Sequence, residues 1–200
     1  MVFYAHIRKA PHRDLTPEDY QTLSAHLLQT ARLAELFALK FKLPLSGRLI
    51  GLMHDLGKYS MQFQHYLLSA VGLIPPDHPD YIDPISYKGK IDHSTAGAQW
   101  ITSSLGEAIR KNGKKLDHYA QHLALAVCSH HGGLPDCLDP DGDAPFAERM
   151  GQPEARTHFL ESKSSIEPGI DAALQEISTK ALLEELKARR VSILARENAA

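Results

Sequence analysis

Apolar residues recur at helical spacing along most of the chain. Thr16-Pro17-Glu18-Asp19 reads as a helix start: a capping hydroxyl, proline at the first helical position, then acids in the first turn. The helix predicted from there runs to about Lys42. Leu23, Leu27, Ala31, Ala34 and Ala38 form its apolar stripe, with Leu33 and Phe37 beside them. His26 lies next to that stripe, so its ring is expected to face the interior. Pro44 breaks the chain. Ser46 is the expected cap of a second helix over Gly47 to about Asp55, ended by Gly57.

Short helices are expected over Ser60 to Leu68, Ser94 to Leu105 and Lys115 to Ser129, the last ended by Gly132-Gly133. Residues 1–15 read as an irregular arm. Residues 72–92 hold four prolines and read as a loop, a lid or an insertion. Residues 135–170 open on the turn-rich run PDCLDPDGDAP and read as irregular. Residues 171–200 return to helical periodicity through Ala173, Leu174, Ile177, Leu182, Leu183, Leu186, Val191 and Leu194. No stretch alternates as a strand does. The expectation is an all-α helical bundle forming one domain over residues 1–200.

Composition narrows the class. A chain of 200 residues, 43% hydrophobic, can bury one substantial core. The net charge of -2 neither demands nor excludes a polyanionic partner, because a local basic rim or a bound ion attracts phosphate. No apolar run is long enough to span a bilayer. Cys128 and Cys137 do not make a disulfide framework. A reduced, cytoplasmic protein without a membrane partner is expected.

Histidine is over-used, at twelve residues, and carries the candidate chemistry. In LIGLMHDLGK an apolar helix delivers His54 and Asp55 together. Adjacent helical positions are about 100° apart, so both reach one ion from a helix edge, and the carboxylate has a second oxygen for another ion. A buried His-Asp hydrogen bond is the alternative. Asp92-His93-Ser94 opens a helix, where ordinary capping competes with ligation. Ser129-His130-His131-Gly132-Gly133 ends an apolar helix where glycine admits a ligand close to the backbone. An exposed histidine pair favoured by the helix dipole is the alternative there. His26 joins as a fourth segment, though a lone histidine in that place is more often a core residue. Lys58 is either a surface lysine or an electrostatic stabiliser of bound phosphate.

Donors from His26, His54, Asp55, His93, His130 and His131 lack thiolates. They suit divalent Mn, Fe, Co, Ni, Zn or Mg, and six donors around one bridging carboxylate are enough for two ions. Such a pair suits phosphodiester hydrolysis. His118 and His122, four apart, have metal-binding spacing but are expected on an outer helix edge. Lys111, Lys114 and Lys115 form a small basic cluster that reads as a solvated loop. Trp100, Phe63 and Cys128 read as core.

The segments SAHLLQTARLAELFA, LIGLMHDLGK with FQHYL, DHSTAGAQ and SHHGGLPD, in this order, resemble the HD superfamily of metal-dependent phosphohydrolases. More narrowly, they resemble the HD nuclease domain of the type I CRISPR-associated helicase-nuclease, over roughly residues 20–136. The resemblance implies an HD-domain helical bundle and a divalent-metal endo/exonuclease acting mainly on single-stranded DNA. It implies a superfamily 2 helicase domain or subunit and a crRNA-guided surveillance complex as partners. It would give one ion to His26, His54 and Asp55 and a second, bridged by Asp55, to His93, His130 and His131. Lys58 would sit near the substrate phosphate, and Ser94 would orient a ligand through a hydrogen bond. The family usually adds an aspartate from a late helix, which RRVSILARENAA does not show; Asp171 is the stand-in within this chain. No GxxxxGK[ST] phosphate loop is present. An HD phosphohydrolase acting on nucleotides, and a decayed non-catalytic HD module, remain as alternative functions.

Overall fold

The computed structural model describes the chain except residues 11, 108–110, 112–116 and 198–200, and gives the backbone alone at 117 and 190–197. The architecture is helical, with one small two-stranded sheet. Strand β1 (Tyr4–Ile7) pairs antiparallel with β2 (Tyr20–Thr22), in the register Tyr4 to Thr22 and Ile7 to Tyr20. Both departures from expectation near the N-terminus follow from this pairing. Residues 1–15 are not an irregular arm, and Thr16 starts a 3-10 turn (Pro17–Asp19) instead of the long helix. Helix α1 begins six residues later (Leu23–Ala38), where Thr22 Oγ1 accepts from Ala25 N–H.

The first helical run ends before Pro44, as expected, and helix α2 (Pro44–Met53) takes that proline in its first turn. Ser46 is not its cap; the Leu45 and Ser46 N–H groups both donate at 2.9 Å to the Glu185 carboxylate. A 3-10 turn (Leu56–Tyr59) follows, then α3 (Met61–Ala70), capped by Ser60. Residues 72–92 form turns without helix or strand, as expected. Helix α4 (Thr95–Trp100) runs into a π-helical turn (Ile101–Leu105), and α5 covers Asp117–Cys128. The expected start of α5 at Lys115, and Lys114 with it, lie outside the described residues. Lys111 is exposed and pairs with Glu107 at 2.9 Å.

Residues 135–170 are not simply irregular. They hold three short helices, α6 (Pro145–Met150), α7 (Glu154–Thr157) and α8 (Phe159–Ser164), and the start of α9 (Pro168–Gln175). Each is one or two turns long, too short to show a period. Helix α10 (Thr179–Glu197) closes the described chain. The side chains of Arg190, Val191 and Leu194 lie outside the described residues.

Leu23 and Leu27 of α1, Leu52 and Met53 of α2, Val127 of α5, Ile170 of α9 and Leu182 of α10 belong to one contiguous core. Each large apolar side chain buried there contributes roughly 1.5–3 kcal/mol. Leu33 and Phe37 do not join it; both are exposed on the outer side of α1. Cys128 is buried and Cys137 exposed, and neither is bonded. Among the described residues no helix is long and apolar enough to cross a membrane.

Candidate metal centre

Two close approaches set the centre. Gly97 on α4 lies on the end of α2: a Cβ there would stand 1.8 Å from the Met53 carbonyl oxygen. Gly57 lies on the Asp92-His93 loop, where a Cβ would stand 2.6 Å from His93 Cα, and its N–H donates to His93 O at 3.0 Å. Backbone contact thus fixes the His54-Asp55 turn against the segment that carries His93.

Asp55, 2% exposed, is the hub. Its Oδ2 lies 3.0 Å from His26 Nε2, 3.2 Å from His54 Nε2 and 2.9 Å from Lys58 Nζ. Its Oδ1 faces the other way, 3.3 Å from His130 Nε2 and 3.7 Å from His93 Nε2. Atoms of Asp55, His93, His130 and His131 lie within 4.8 Å of one another. The six sequence-predicted donors converge from α1, the end of α2, the loop before α4 and the turn after α5.

The tautomers are legible from the second nitrogens. His54 Nδ1 lies 2.9 Å from Gly51 O, His130 Nδ1 2.7 Å from Val127 O and His93 Nδ1 3.3 Å from Ile91 O. A carbonyl accepts only, so each Nδ1 carries a hydrogen and each Nε2 is left facing the carboxylate, as the lone pair an ion would take or, without an ion, as a donor to Asp55. Lone pairs facing a carboxylate repel unless a cation lies among them. Asp55 Oδ1, His93 Nε2 and His130 Nε2 are buried without a hydrogen-bond partner. Leaving such atoms unpaired costs about 1–3 kcal/mol each. Nitrogen and oxygen donors in this arrangement fit a divalent transition ion.

Titration behaviour agrees with that donor set. Burial raises the Asp55 acid, but the surrounding imidazoles of His130, His26 and His54 outweigh it, and the carboxyl is held well below the usual carboxylate range. Burial lowers His93 to about 4, and burial with the neighbouring His130 lowers His131. These rings stay neutral, as ligands must.

Lys58 is not a surface lysine. It is 4% exposed, and its ammonium also donates to Ala5 O at 3.3 Å and lies 5.3 Å from the Phe63 ring centre. Asp92 caps α4 through the Ser94 and Thr95 N–H groups. The Ser94 hydroxyl donates to Asp92 at 3.4 Å and accepts from Arg149 at 2.8 Å, and among the described residues it makes no hydrogen bond to a candidate ligand. Asp171 is exposed on α9, accepts from Gln175, and enters neither ligating group. His118 and His122 are exposed on α5, as expected.

A trough of about 1230 Å³ opens beside His93 and His131. Lys90 from the 72–92 loop, Arg149 from α6 and Arg156 from α7 line it. Sequence reasoning missed this wall and also missed His6, whose ring nitrogen groups with His26 and Asp55 within 4.8 Å. The available signal was Tyr4-Ala5-His6-Ile7, where Ala5 and Ile7 are buried in alternation.

Comparison with curated proteins yields no significant match. The family model described as "Cas3, HD domain" matches residues 9–195. That span takes in every segment that meets at Asp55 from His26 onward, and the chain therefore belongs to the HD-domain family of the Cas3-type CRISPR-associated helicase-nucleases.

Proposed function

We propose that this domain is a divalent-metal nuclease that hydrolyses DNA phosphodiester bonds, mainly in single-stranded DNA, during type I CRISPR interference in the cytoplasm. The observation that carries the reading is the division of Asp55: Oδ2 toward His26 and His54, Oδ1 toward His93 and His130, with His131 in the same group as these two. One ion would be held on each side, with the carboxylate as bridge. Bound there, divalent ions supply Lewis acidity, which activates water at neutral pH and stabilises charge on the attacking and leaving oxygens.

The chain's own residues do the rest. Lys58 holds the Asp55 carboxylate in place from the side of β1, inside the protein. This is a positioning role, distinct from direct contact with substrate phosphate. The carbonyls of Gly51, Ile91 and Val127 orient three rings. Lys90 and Arg156, both exposed on the trough, offer positive charge to a phosphate backbone. Arg149 is turned inward onto Ser94 and Thr95 and shapes the trough wall.

The trough, about 1230 Å³ with Lys90 and Arg156 exposed along it, has room and positive charge for a strand of DNA. A superfamily 2 helicase, as domain or subunit, would feed the strand, and a crRNA-guided surveillance complex would select it. Incubation with manganese and single-stranded DNA, beside a panel of nucleotides, tests the reading. Metal-dependent DNA cleavage is expected. Hydrolysis of nucleotides with intact DNA would assign the fold to the nucleotide phosphohydrolases instead. A chain that binds no ion would be a non-catalytic module.

A further inference from the structure

We propose that His6, on strand β1, is a ligand of the ion on the Oδ2 side of Asp55, where it would join His26 and Asp55. The proposal rests on the metal-centre reading above. His6 precedes residues 9–195, the span matched to the family.

The Oδ1 side has four donor groups: Asp55, His93, His130 and His131. On the Oδ2 side, among the described residues, His26 and His54 approach Asp55, and β1 adds His6, which groups with His26 and Asp55. One of its ring nitrogens lies within 4.8 Å of both a His26 nitrogen and an Asp55 oxygen. Its ring stands edge-on to His26, with centres 5.0 Å apart. Ligands of one ion about 2.0–2.1 Å away are spaced closer than that limit, so His6 would have to move toward Asp55 on binding.

The strand is held in that place by contacts unrelated to ligation. Gln64 Nε2 donates to Tyr4 O at 2.9 Å while its Oε1 accepts from Tyr4 N–H at 3.0 Å. Lys58 Nζ binds both Asp55 Oδ2 and Ala5 O, the carbonyl of the residue before His6. One ammonium therefore fixes the bridging carboxylate and the backbone that presents His6. Strand alternation sends Ala5 and Ile7 into the core and leaves His6 on the opposite face, over the centre.

Calorimetric titration of manganese into the metal-free chain tests this, with His6→Ala and His6→Phe beside wild type. Phenylalanine keeps the ring contact with His26 and removes the donor. Both variants are expected to fold, since His6 is exposed, and thermal unfolding checks it. The expected result is that one of two binding steps weakens at least about tenfold in both variants, the penalty typical of losing even a ligand's supporting group. His93→Ala should weaken the other step. Wild-type titration curves from His6→Phe and His6→Ala would overturn the assignment while leaving the two-ion centre standing. Loss in His6→Ala with rescue in His6→Phe would also overturn it, in favour of ring packing. A wild-type chain that takes up no manganese would sink the proposal together with the reading it rests on.

Discussion

Lys58 and Asp55, three residues apart in one tight turn, form a 2.9 Å ion pair in which each side chain is at most 5% exposed. A buried pair of this kind is costly to break, because the partner left behind keeps its charge without compensation. Lys58→Met is therefore expected to lower the stability of the metal-free chain by about 3 kcal/mol. Added manganese should recover part of that loss, since an ion supplies the missing positive charge. Urea unfolding with and without metal measures both effects. Equal midpoints for the variant and wild type would show that the pair contributes nothing.

Acid should destabilise the metal-free chain, and the sign follows from His93. Unfolded, that ring takes a proton near its ordinary 6.5; folded, burial holds it to about 4. Between those values the unfolded state binds more protons, so stability falls as pH falls from 6.5 to 4. Asp55 adds its own loss at lower pH: its acid is held down in the fold, so its contribution is intact above the ordinary carboxylate range and disappears below it. A thermal midpoint that stays flat from neutral pH to about 4.5 would contradict this account.

The motif-bearing segments were legible because each works locally. His54-Asp55, His93 and His130-His131 all lie at helix ends, where sequence marks both the apolar run and its stop. The unread parts depend on distant partners. Tyr20–Thr22 is a strand only because Tyr4–Ile7 lies beside it. The burial of Lys58 needs the Ala5 carbonyl, 53 residues away. The cap of α2 comes from Glu185, about 140 residues on. Leu33 and Phe37 obey the helical period yet stay exposed, because α1 packs through Leu23, Leu27 and Ala31. His6 sat in a segment too short to declare itself.

Gly57 should prove as important to the centre as a ligand. Its missing Cβ is the space taken by His93 Cα and O, each 2.6 Å from where that carbon would stand. Gly57→Ala must push the two loops apart and carry His93 away from Asp55. The expected outcome is weaker manganese binding at the His93 step, by about tenfold, with the His26 step less affected. Unchanged binding at both steps would show that the contact does not set the geometry.

Lys90 and Arg156 should act on DNA affinity and not on chemistry. The Lys90→Ala, Arg156→Ala double variant is expected to raise KM for single-stranded DNA while leaving kcat near wild type. Removing two phosphate contacts should also flatten the salt dependence, by about 1.4 in the slope of log K against log salt. A slope identical to wild type would place the strand elsewhere.

Metal content of the purified chain, measured by plasma mass spectrometry for wild type and Asp55→Ala after manganese loading and desalting, goes directly to the bridging carboxylate. A shared bridge predicts that the single substitution empties both sites, against a pair of ions in wild type. Asp55→Ala protein that still carries the wild-type complement of manganese would contradict it.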